Sequence, residues 1–367
     1  MKKIFLLVLM LVLAISLVSA VELCGDGYCN GGENKDNCVA DCGAVAGGRN
    51  LGSTYHTKEA SISLFRDLCN ENTRYCSAEV IGKSIKGKDI WMFKFGNPKG
   101  GIVMMDSSGH GPEDCGAEIS YVFAKWMMES KDADAIRAKN NNYFMIVPVL
   151  NVDEYDRQNA RSSYTLPNGS ILLVKYGVDL NRNAPIGWGG SGSADPNNNY
   201  EYRGLSGASE PETQAIVTTL QKYKPAVYVN THCGMYLRNY YPTGNLSKKI
   251  TDLQNSLATK QGVSLSQYNS NQGCSGGHLC RTGGTYGTTG WIIEVSPWAD
   301  LPVSTQGFID KFYPKMFPIW LGFMQAVEIP GNVPAPNPNL IGYILLGIAV
   351  IGGVSIAIFW KKIKKMF

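Results

Sequence analysis

The chain has 367 residues, of which 44% are hydrophobic and 17% charged, and this globular composition suits one large domain with accessory segments. Its formal net charge is +4, but six lysines lie at the termini, Lys2 and Lys3 at the start and four within 361–365. Without them the body carries 4 − 6 = −2. A nearly neutral body has no electrostatic basis for binding a polyanion, so we expect no nucleic-acid partner.

The N-terminal segment MKKIFLLVLMLVLAISLVSA has a basic start, an apolar run and a small-residue end, Val18-Ser19-Ala20. This pattern is typical of a secretory signal peptide, here spanning 1–20 and cleaved after Ala20. An uncleaved N-terminal anchor is the alternative. Both interpretations predict that the body is exported.

The following stretch, residues 21–43, holds four of the ten cysteines and resembles small Cys-rich modules of exported proteins. It is too short and polar to bury a core, so we predict that disulfides hold it together. Acidic residues interleave with these cysteines. They form either a solvated acidic face of a disulfide knot or a Ca²⁺ site, because hard cations bind clustered oxygens.

The other six cysteines include two pairs that could close short loops, Cys69 with Cys76 and Cys274 with Cys280. Cys115 and Cys233 remain, and they either bridge or stay reduced. An oxidising compartment outside the cytoplasm favours disulfides, although the spacing leaves their connectivity open.

From about residue 55, helix-like and strand-like segments alternate. Apolar residues recur at helical spacing in TKEASISLFRDLCNEN and AEISYVFAKWMMES. Short apolar runs that end at Gly, Asn or Ser indicate buried strands, among them IWMFKFG, GIVMMDSS, YFMIVPVLN and PAVYVNTHCG. The alternation predicts a layered α/β domain with a largely parallel, buried sheet.

The C-terminal end has the features of a membrane anchor. Residues 329–339 are rich in Pro and Asn, which predicts an extended stalk. Residues 340–360 carry no charge and would form a helix of about 31 Å, long enough to cross the hydrocarbon core. The basic residues that follow are typical of a cytoplasmic tail. A buried core helix is the alternative for 340–360.

A candidate metal site emerges from the few histidines, of which the chain has four. His110 and Glu113 follow the predicted strand GIVMMDSS on a Gly- and Pro-rich loop, and His232 ends the strand AVYVNTH. Zinc accepts such N and O ligands, and three protein ligands leave one position open for catalysis. A His-x-x-Glu pair by itself is common and more often belongs to an ordinary polar loop.

The accompanying motifs favour the zinc site over the ordinary polar loop. They occur in the order VIGKSIKGKDIWMFKFG, the His-x-x-Glu loop, GVDLNRNAP, GASEPETQAI, AVYVNTH and GTTGWIIEVSP. Together they resemble the zinc carboxypeptidase family related to carboxypeptidases A and B, over roughly residues 50–328. The resemblance implies an α/β/α fold around a mixed, largely parallel eight-stranded sheet, with one zinc ion per chain.

The resemblance also implies roles for individual residues. His110, Glu113 and His232 match the zinc ligands, and Asp179 matches the carboxylate that hydrogen-bonds a ligand histidine. Glu294 matches the catalytic glutamate, which takes a proton from zinc-bound water as that water attacks the peptide carbonyl and then protonates the leaving amine. A carboxylate in a strand as apolar as GWIIEVSP is unusual in its own right, because burying it unpaired is costly.

Substrate binding is assigned by the same resemblance. Asn181 and Arg182 match the pair that holds the substrate's terminal carboxylate, for which a guanidinium fork is well suited. Arg161 matches the arginine that polarises the scissile carbonyl better than Arg157 does. The family's aromatic residue just before that arginine is absent here, and Pro112 replaces an arginine that usually precedes the ligand glutamate.

Two further family positions have weaker matches. The tyrosine that closes over the substrate falls in a segment without a firm alignment, where Tyr268 is the candidate and Tyr286 the alternative. The residue that sets side-chain preference matches Leu279, which indicates an apolar preference. We expect the neighbouring His278 to be a polar loop residue and not a ligand.

We therefore expect a membrane-tethered zinc metallocarboxypeptidase that acts on peptide or protein C-termini outside the cytoplasm. A cell-wall peptide hydrolase or amidase of the same fold is the first alternative, and an inactive surface binding module is the second. The predicted organisation is a signal peptide at 1–20, a Cys-rich module at 21–43, a catalytic domain at 50–328, a stalk at 329–339, a transmembrane helix at 340–360 and a cytoplasmic tail at 361–367.

Overall fold

The computed structural model describes residues 56–111, 113–153, 163–174, 177–190, 193, 201–240, 245–268, 274, 278–297, 300 and 305–329. The predicted signal peptide, the Cys-rich module with its Ca²⁺ alternative, and the predicted transmembrane helix lie outside these residues. Within the described ranges, no helix combines the length and the apolar character needed to cross a membrane.

The described residues form nine strands, which make up one large sheet and one hairpin. In chain order they are β1 (Cys76–Lys83), β2 (Asp89–Gly96), β3 (Gly101–Asp106), β4 (Asn142–Val147), β5 (Ser163–Thr165), β6 (Ile171–Leu173), β7 (Val227–Gly234), β8 (Leu237–Tyr240) and β9 (Thr289–Pro297). The large sheet has the order β1-β2-β4-β3-β7-β9-β8, and β5 pairs with β6.

The large sheet is mixed, as predicted. The four neighbouring strands β4, β3, β7 and β9 run parallel, while β2 and β8 are antiparallel to their neighbours. The resemblance implied eight strands, but the described residues form seven.

In the part of the chain that the structure describes, seven helices cover the sheet. They are α1 (Lys58–Glu71), α2 (Cys115–Glu129), α3 (Ala133–Asn141), α4 (Pro211–Tyr223), α5 (Leu246–Lys260), α6 (Leu279–Thr285) and α7 (Thr305–Val327), with a 3₁₀ turn at Leu180–Arg182. One core cluster packs α1, α2, α3, α5 and α7 against the sheet, and a second packs α4 and α6 against the opposite face. This arrangement is the predicted α/β/α layering.

The central strands are apolar on both sides because both faces are covered. All six residues of β4, NYFMIV, are buried. In β3, Val103 and Met105 belong to one core cluster and Met104 to the other, as the two-residue period of a strand requires. Their parallel alignment brings the carboxyl ends of β3, β7 and β9 to one edge of the sheet.

Three disulfides occur among the described residues, and no described cysteine is free. Cys69–Cys76 and Cys274–Cys280 close the two short loops that the sequence suggested. Cys115 and Cys233, whose state the sequence left open, are bonded to each other across 118 residues of sequence.

Candidate metal centre

Three buried side chains converge at the carboxyl edge of the parallel strands. His110 and Glu113 lie in the loop between β3 and α2, and His232 lies near the end of β7. One potential ligand atom from each residue lies within 4.8 Å of the other two. Because β3 and β7 are parallel neighbours, the loop that follows β3 is placed directly beside the end of β7.

The two imidazole rings face the same carboxylate. His110 Nδ1 lies 2.9 Å from Glu113 Oε1, and His232 Nδ1 lies 2.6 Å from Glu113 Oε2. The ring centroids are 4.7 Å apart. Two nitrogens and a carboxylate that point at one spot form the N/O donor set that zinc prefers.

The outer nitrogens of both rings are also held. His110 Nε2 donates to Asp179 Oδ1 at 3.0 Å, and His232 Nε2 donates to Asn230 Oδ1 at 2.7 Å. With hydrogen on Nε2, each ring can release the proton of Nδ1 and use the lone pair of that atom to bind a metal ion at the centre. Both rings are therefore oriented as metal ligands would be, so the residues fit a bound zinc ion.

The charges in this cluster depend on one another. Burial acts to lower the pKa of His110, but the carboxylates of Glu113 and Asp179 outweigh it and raise that pKa well above its usual value. Burial likewise acts to raise the pKa of Glu113, and the two histidines bring it down to about 2. The pKa of Asp179 also falls to about 2, against the effect of burial, mainly because of His110. Buried carboxylates of this kind require positive charge beside them, from protons or from a metal cation.

Asp179 connects the metal centre to the neighbouring turn. It precedes the 3₁₀ turn at Leu180–Arg182, and its Oδ1 accepts the Asn181 N–H at 2.8 Å. The same oxygen accepts the hydrogen bond from His110. One carboxylate thus holds a candidate ligand and the pair Asn181 and Arg182.

The Arg182 side chain is held by several groups. Its Nη1 donates to His278 Nε2 at 2.9 Å and its Nη2 donates to Glu201 Oε1 at 2.9 Å. Burial, followed by the charge of Arg182, lowers the pKa of His278 to about 3, so His278 is a neutral acceptor. Asn181 Oδ1 accepts the Leu279 N–H at 3.2 Å. These contacts give both side chains a defined orientation beside the metal centre.

Glu294 lies on β9 directly across from His232 in the β7–β9 register. Its side chain is half-buried, and its Oε2 has no hydrogen-bond partner among the described residues. Burial raises the pKa of Glu294 to about 7, although the His232 imidazole opposes this effect. A carboxyl group with a pKa near 7 can both accept and donate a proton near neutral pH.

The Cys115–Cys233 disulfide joins the two segments that carry the candidate ligands. Cys115 is two residues beyond Glu113, and Cys233 directly follows His232. The Cys233 N–H also donates to Glu113 Oε2 at 3.3 Å. A covalent bond and a hydrogen bond therefore link the loop after β3 to the end of β7.

The structure does not bring either candidate tyrosine to this centre. Tyr268 is buried and donates to the Val295 carbonyl at 2.7 Å, within the core cluster that packs α5 and α7. Val295 and Glu294 are adjacent in a strand and point to opposite faces, so Tyr268 packs on the far side from Glu294. The Tyr286 hydroxyl accepts from Gln221 Nε2 at 2.9 Å, on α4.

The remaining predicted substrate-binding positions are either buried in the core or outside the described residues. Leu279 begins α6 with its side chain fully buried in the second core cluster, so its backbone and not its side chain faces Asn181. Arg161, Arg157 and Pro112 lie outside the described residues.

Sequence reasoning missed two polar residues next to His232. Asn230 donates through Nδ2 to both carboxylate oxygens of Asp106 at 3.1 Å, and both residues are fully buried. Burial raises the pKa of Asp106 to about 6, and the hydrogen bonds from Asn230 oppose this rise. The available signal was a polar residue in each of two apolar strands, with Asn230 two positions before His232 and hence on the same face.

Comparison with known proteins identifies related sequences and folds. The family model described as "Zinc carboxypeptidase" matches residues 62–305. Human carboxypeptidase A5 is 28% identical over 213 residues, which cover 54% of this chain and 47% of that protein. Bovine carboxypeptidase B is 25% identical over 226 residues, covering 56% and 51%.

The chain thus spans about half the length of the curated relatives that it matches. Among solved structures, carboxypeptidase A from Helicoverpa armigera superposes with a TM-score of 0.61 at 20% identity. The superposition covers 74% of this chain and 73% of that chain, which shows a shared fold.

Proposed function

Because the chain belongs to the zinc carboxypeptidase family, we propose that it is a zinc-dependent carboxypeptidase that hydrolyses the C-terminal peptide bond of peptides or proteins. The observation that carries this proposal is the convergence of His110, Glu113 and His232. Glu294 lies beside them, as the register partner of His232 on the neighbouring strand β9. The Arg182 guanidinium, tied through Asp179 to the same centre, supports an exopeptidase.

His110, Glu113 and His232 would hold the zinc ion. When bound there, zinc lowers the pKa of a water molecule and polarises the scissile carbonyl. The chain's part is to keep both Nδ1 atoms and the carboxylate aimed at one position, with Asp179 and Asn230 bonded to the outer nitrogens. This arrangement fixes the ligands before the ion or the substrate arrives.

Glu294 moves the proton. Its half-buried carboxylate accepts a proton from the attacking water and passes it to the nitrogen of the departing residue. Burial raises the pKa of Glu294 to about 7, so protonated and ionised forms are both accessible near neutral pH. Its Oε2 has no hydrogen-bond partner among the described residues, so this oxygen is available for proton transfer.

Asn181 and Arg182 hold the terminal carboxylate of the substrate. A guanidinium donates two parallel hydrogen bonds to a carboxylate, and this contact restricts cleavage to the last peptide bond. Because Asn181 Oδ1 is bonded to the Leu279 N–H, its NH₂ group is the part oriented as a donor. We further propose that Arg161 polarises the scissile carbonyl.

We also propose that the catalytic domain lies outside the cytoplasm, tethered by the C-terminal segment 340–360 after cleavage of the signal peptide. The three disulfides of the described residues support an oxidising compartment. Protease treatment of intact cells should digest the domain, whereas a cytoplasmic domain would be protected until the cells are lysed.

Hydrolysis of N-blocked dipeptides, with and without a chelator, tests the proposed activity. We expect the chelator to abolish cleavage, zinc to restore it, and Glu294→Gln to lower kcat by about 10²- to 10⁴-fold with zinc still bound. Cleavage that survives the chelator, or Glu294→Gln at full activity, would refute the mechanism. C-terminally amidated dipeptides are the control for Arg182, and equal cleavage of these would favour an amidase.

A further inference from the structure

We propose that Asp106 and Asn230 are positioning residues that orient His232 for metal binding. This inference rests on the proposed function, because it takes His232 to be a zinc ligand. The two residues form a buried hydrogen-bonded chain that ends on the outer nitrogen of the imidazole. Asn230 contacts Nε2 of His232, whereas Nδ1 of that ring faces Glu113.

The sheet itself brings the three hydrogen-bonded side chains together. Asp106 ends β3 and is the register partner of Asn230 on the parallel strand β7. Asn230 and His232 are two residues apart on β7, so their side chains point to the same face. Two neighbouring strands therefore place the carboxylate, the amide and the imidazole in line without any contribution from a loop.

The hydrogen bonds from Asp106 to His232 have a defined donor and acceptor at each step. Asp106 offers a carboxylate that can only accept, and both of its oxygens lie 3.1 Å from Asn230 Nδ2. The amide must therefore turn its NH₂ group toward Asp106 and its oxygen toward His232. That oxygen lies 2.7 Å from His232 Nε2 and requires a hydrogen there. The Nδ1 atom, which faces Glu113 Oε2 at 2.6 Å, is then the nitrogen whose lone pair a metal ion would bind once its proton is lost.

Burial makes this direction costly to reverse. Asp106 and Asn230 are both fully buried, and His232 is only 1% exposed. Rotating the amide would place its NH₂ group against the Nε2 hydrogen and its oxygen against the carboxylate. Water cannot compensate for such unsatisfied contacts in a buried site.

His110 is oriented differently, and the contrast defines what Asn230 and Asp106 add. The Nε2 of His110 meets the Asp179 carboxylate directly, and a carboxylate has only one role in a hydrogen bond. The amide of Asn230 can bond in either orientation. Asp106 is the group that selects the correct one, and in this way it acts on His232 through Asn230.

The zinc affinity of the purified, metal-stripped full chain tests the proposal, by competition with a chromophoric chelator. We expect Asn230→Leu and Asp106→Leu to raise the zinc Kd by about 10- to 100-fold, the usual effect of losing the outer partner of a ligand histidine. Asp106→Asn should give a smaller increase, because its amide can still accept from Asn230. His232→Ala shows whether the assay reports on this site.

Thr231→Val is the matched control. Thr231 lies between Asn230 and His232, is fully buried, and has a hydroxyl without a hydrogen-bond partner in the described part of the chain. This near-isosteric change should leave the zinc Kd within about twofold of the wild type. Thermal unfolding of each metal-stripped variant separates a loss of orientation from a loss of fold.

The outcomes separate the two proposals. If folded Asn230→Leu and Asp106→Leu bind zinc as tightly as the wild type while His232→Ala does not, the positioning role is overturned. If the wild type and His232→Ala bind zinc equally, or neither binds it, the proposed metal centre itself fails. Should the leucine variants not fold, the nearly isosteric Asp106→Asn decides, and an unchanged Kd in that variant overturns the proposal.

Discussion

Two buried glutamates in this molecule have opposite properties. Glu113 lies between two imidazole rings, and its pKa falls to about 2. Glu212, on α4, is fully buried and accepts the Ile85 N–H at 3.0 Å, while its Oε2 has no partner among the described residues. Burial raises its pKa to about 7, and the carboxylates of Glu210 and Asp153 raise it further.

Burial alone therefore does not decide the charge of a carboxyl group. It acts in the same direction on both glutamates, and the neighbours determine the outcome. Around Glu113 the chain arranges cationic or metal-binding partners, and around Glu212 it arranges further acids. The first environment suits a centre that binds a cation, and the second favours the protonated form of the carboxyl group.

The largest expected effect is the loss of the candidate metal centre in Glu113→Gln. An amide removes both the negative charge and one of the two acceptors that face the histidines. We expect zinc affinity to fall by more than the roughly 100-fold that the loss of an outer partner causes, and peptidase activity to fall with it. Equilibrium dialysis against zinc measures the change, and retained affinity would show that Glu113 is not a ligand.

The second effect concerns the disulfide beside Glu113. Removing Cys115–Cys233 with alanines should lower the free energy of unfolding by about 2–5 kcal/mol, because this bond closes a long loop, and should weaken zinc binding as well. Removing Cys69–Cys76, whose sequence separation is 7 and not 118, is the matched control. It should cost less stability and leave the zinc Kd unchanged. Equal effects on zinc binding would contradict a local role for Cys115–Cys233.

The third effect is a pH dependence that Glu212 introduces. Its pKa is about 7 in the folded chain against an ordinary value of 4.5, so the folded state binds the proton more tightly. The contribution to stability is fully present below pH 4.5 and is lost as the pH rises toward 7. Glu212→Gln should remove this loss, which is about 3 kcal/mol by pH 8.

Urea unfolding at pH 5 and pH 8 measures that difference. Glu59→Gln is the control, since the Glu59 side chain is 75% exposed, and its profile should follow the wild type. If Glu212→Gln shows the same loss of stability between the two pH values as the wild type, the protonated state of Glu212 is excluded as the cause.

The smallest change in stability is expected for an ion pair whose side chains are mostly exposed to solvent. Lys248 and Asp252 form an i,i+4 pair on α5, with their side chains 79% and 61% exposed. Asp252→Asn should change the free energy of unfolding by only about 0.3–0.5 kcal/mol, and less at high salt. A change above about 1 kcal/mol would show that solvent screens this surface less than the exposure indicates.

Much of the fold and of the candidate site could be predicted because the signals are local. Apolar runs that end at Gly, Asn or Ser marked the strands, and their carboxyl ends carry His110 and His232. Glu294 stood out as a carboxylate in an apolar strand. These features depend on periodicity over a few residues, which a sequence displays directly.

Other features could not be predicted because they join distant segments. The Asp106–Asn230 pair depends on the parallel register of β3 and β7, which no local pattern specifies. The position of Tyr268 depends on which face of β9 its loop packs against. The neutral state of His278 follows from its burial beside Arg182, 96 residues away.

The sequence by itself determined the chemistry that this protein can carry. Its His-x-x-Glu loop, its later histidine and the glutamate of the apolar strand GWIIEVSP, taken together with the motifs around them, indicated a zinc hydrolase. The tertiary structure alone decided how these parts are held, through the Cys115–Cys233 bond and the buried chain from Asp106 to His232. Residue types fix which atoms can donate or accept, whereas strand order and register decide which of those atoms meet.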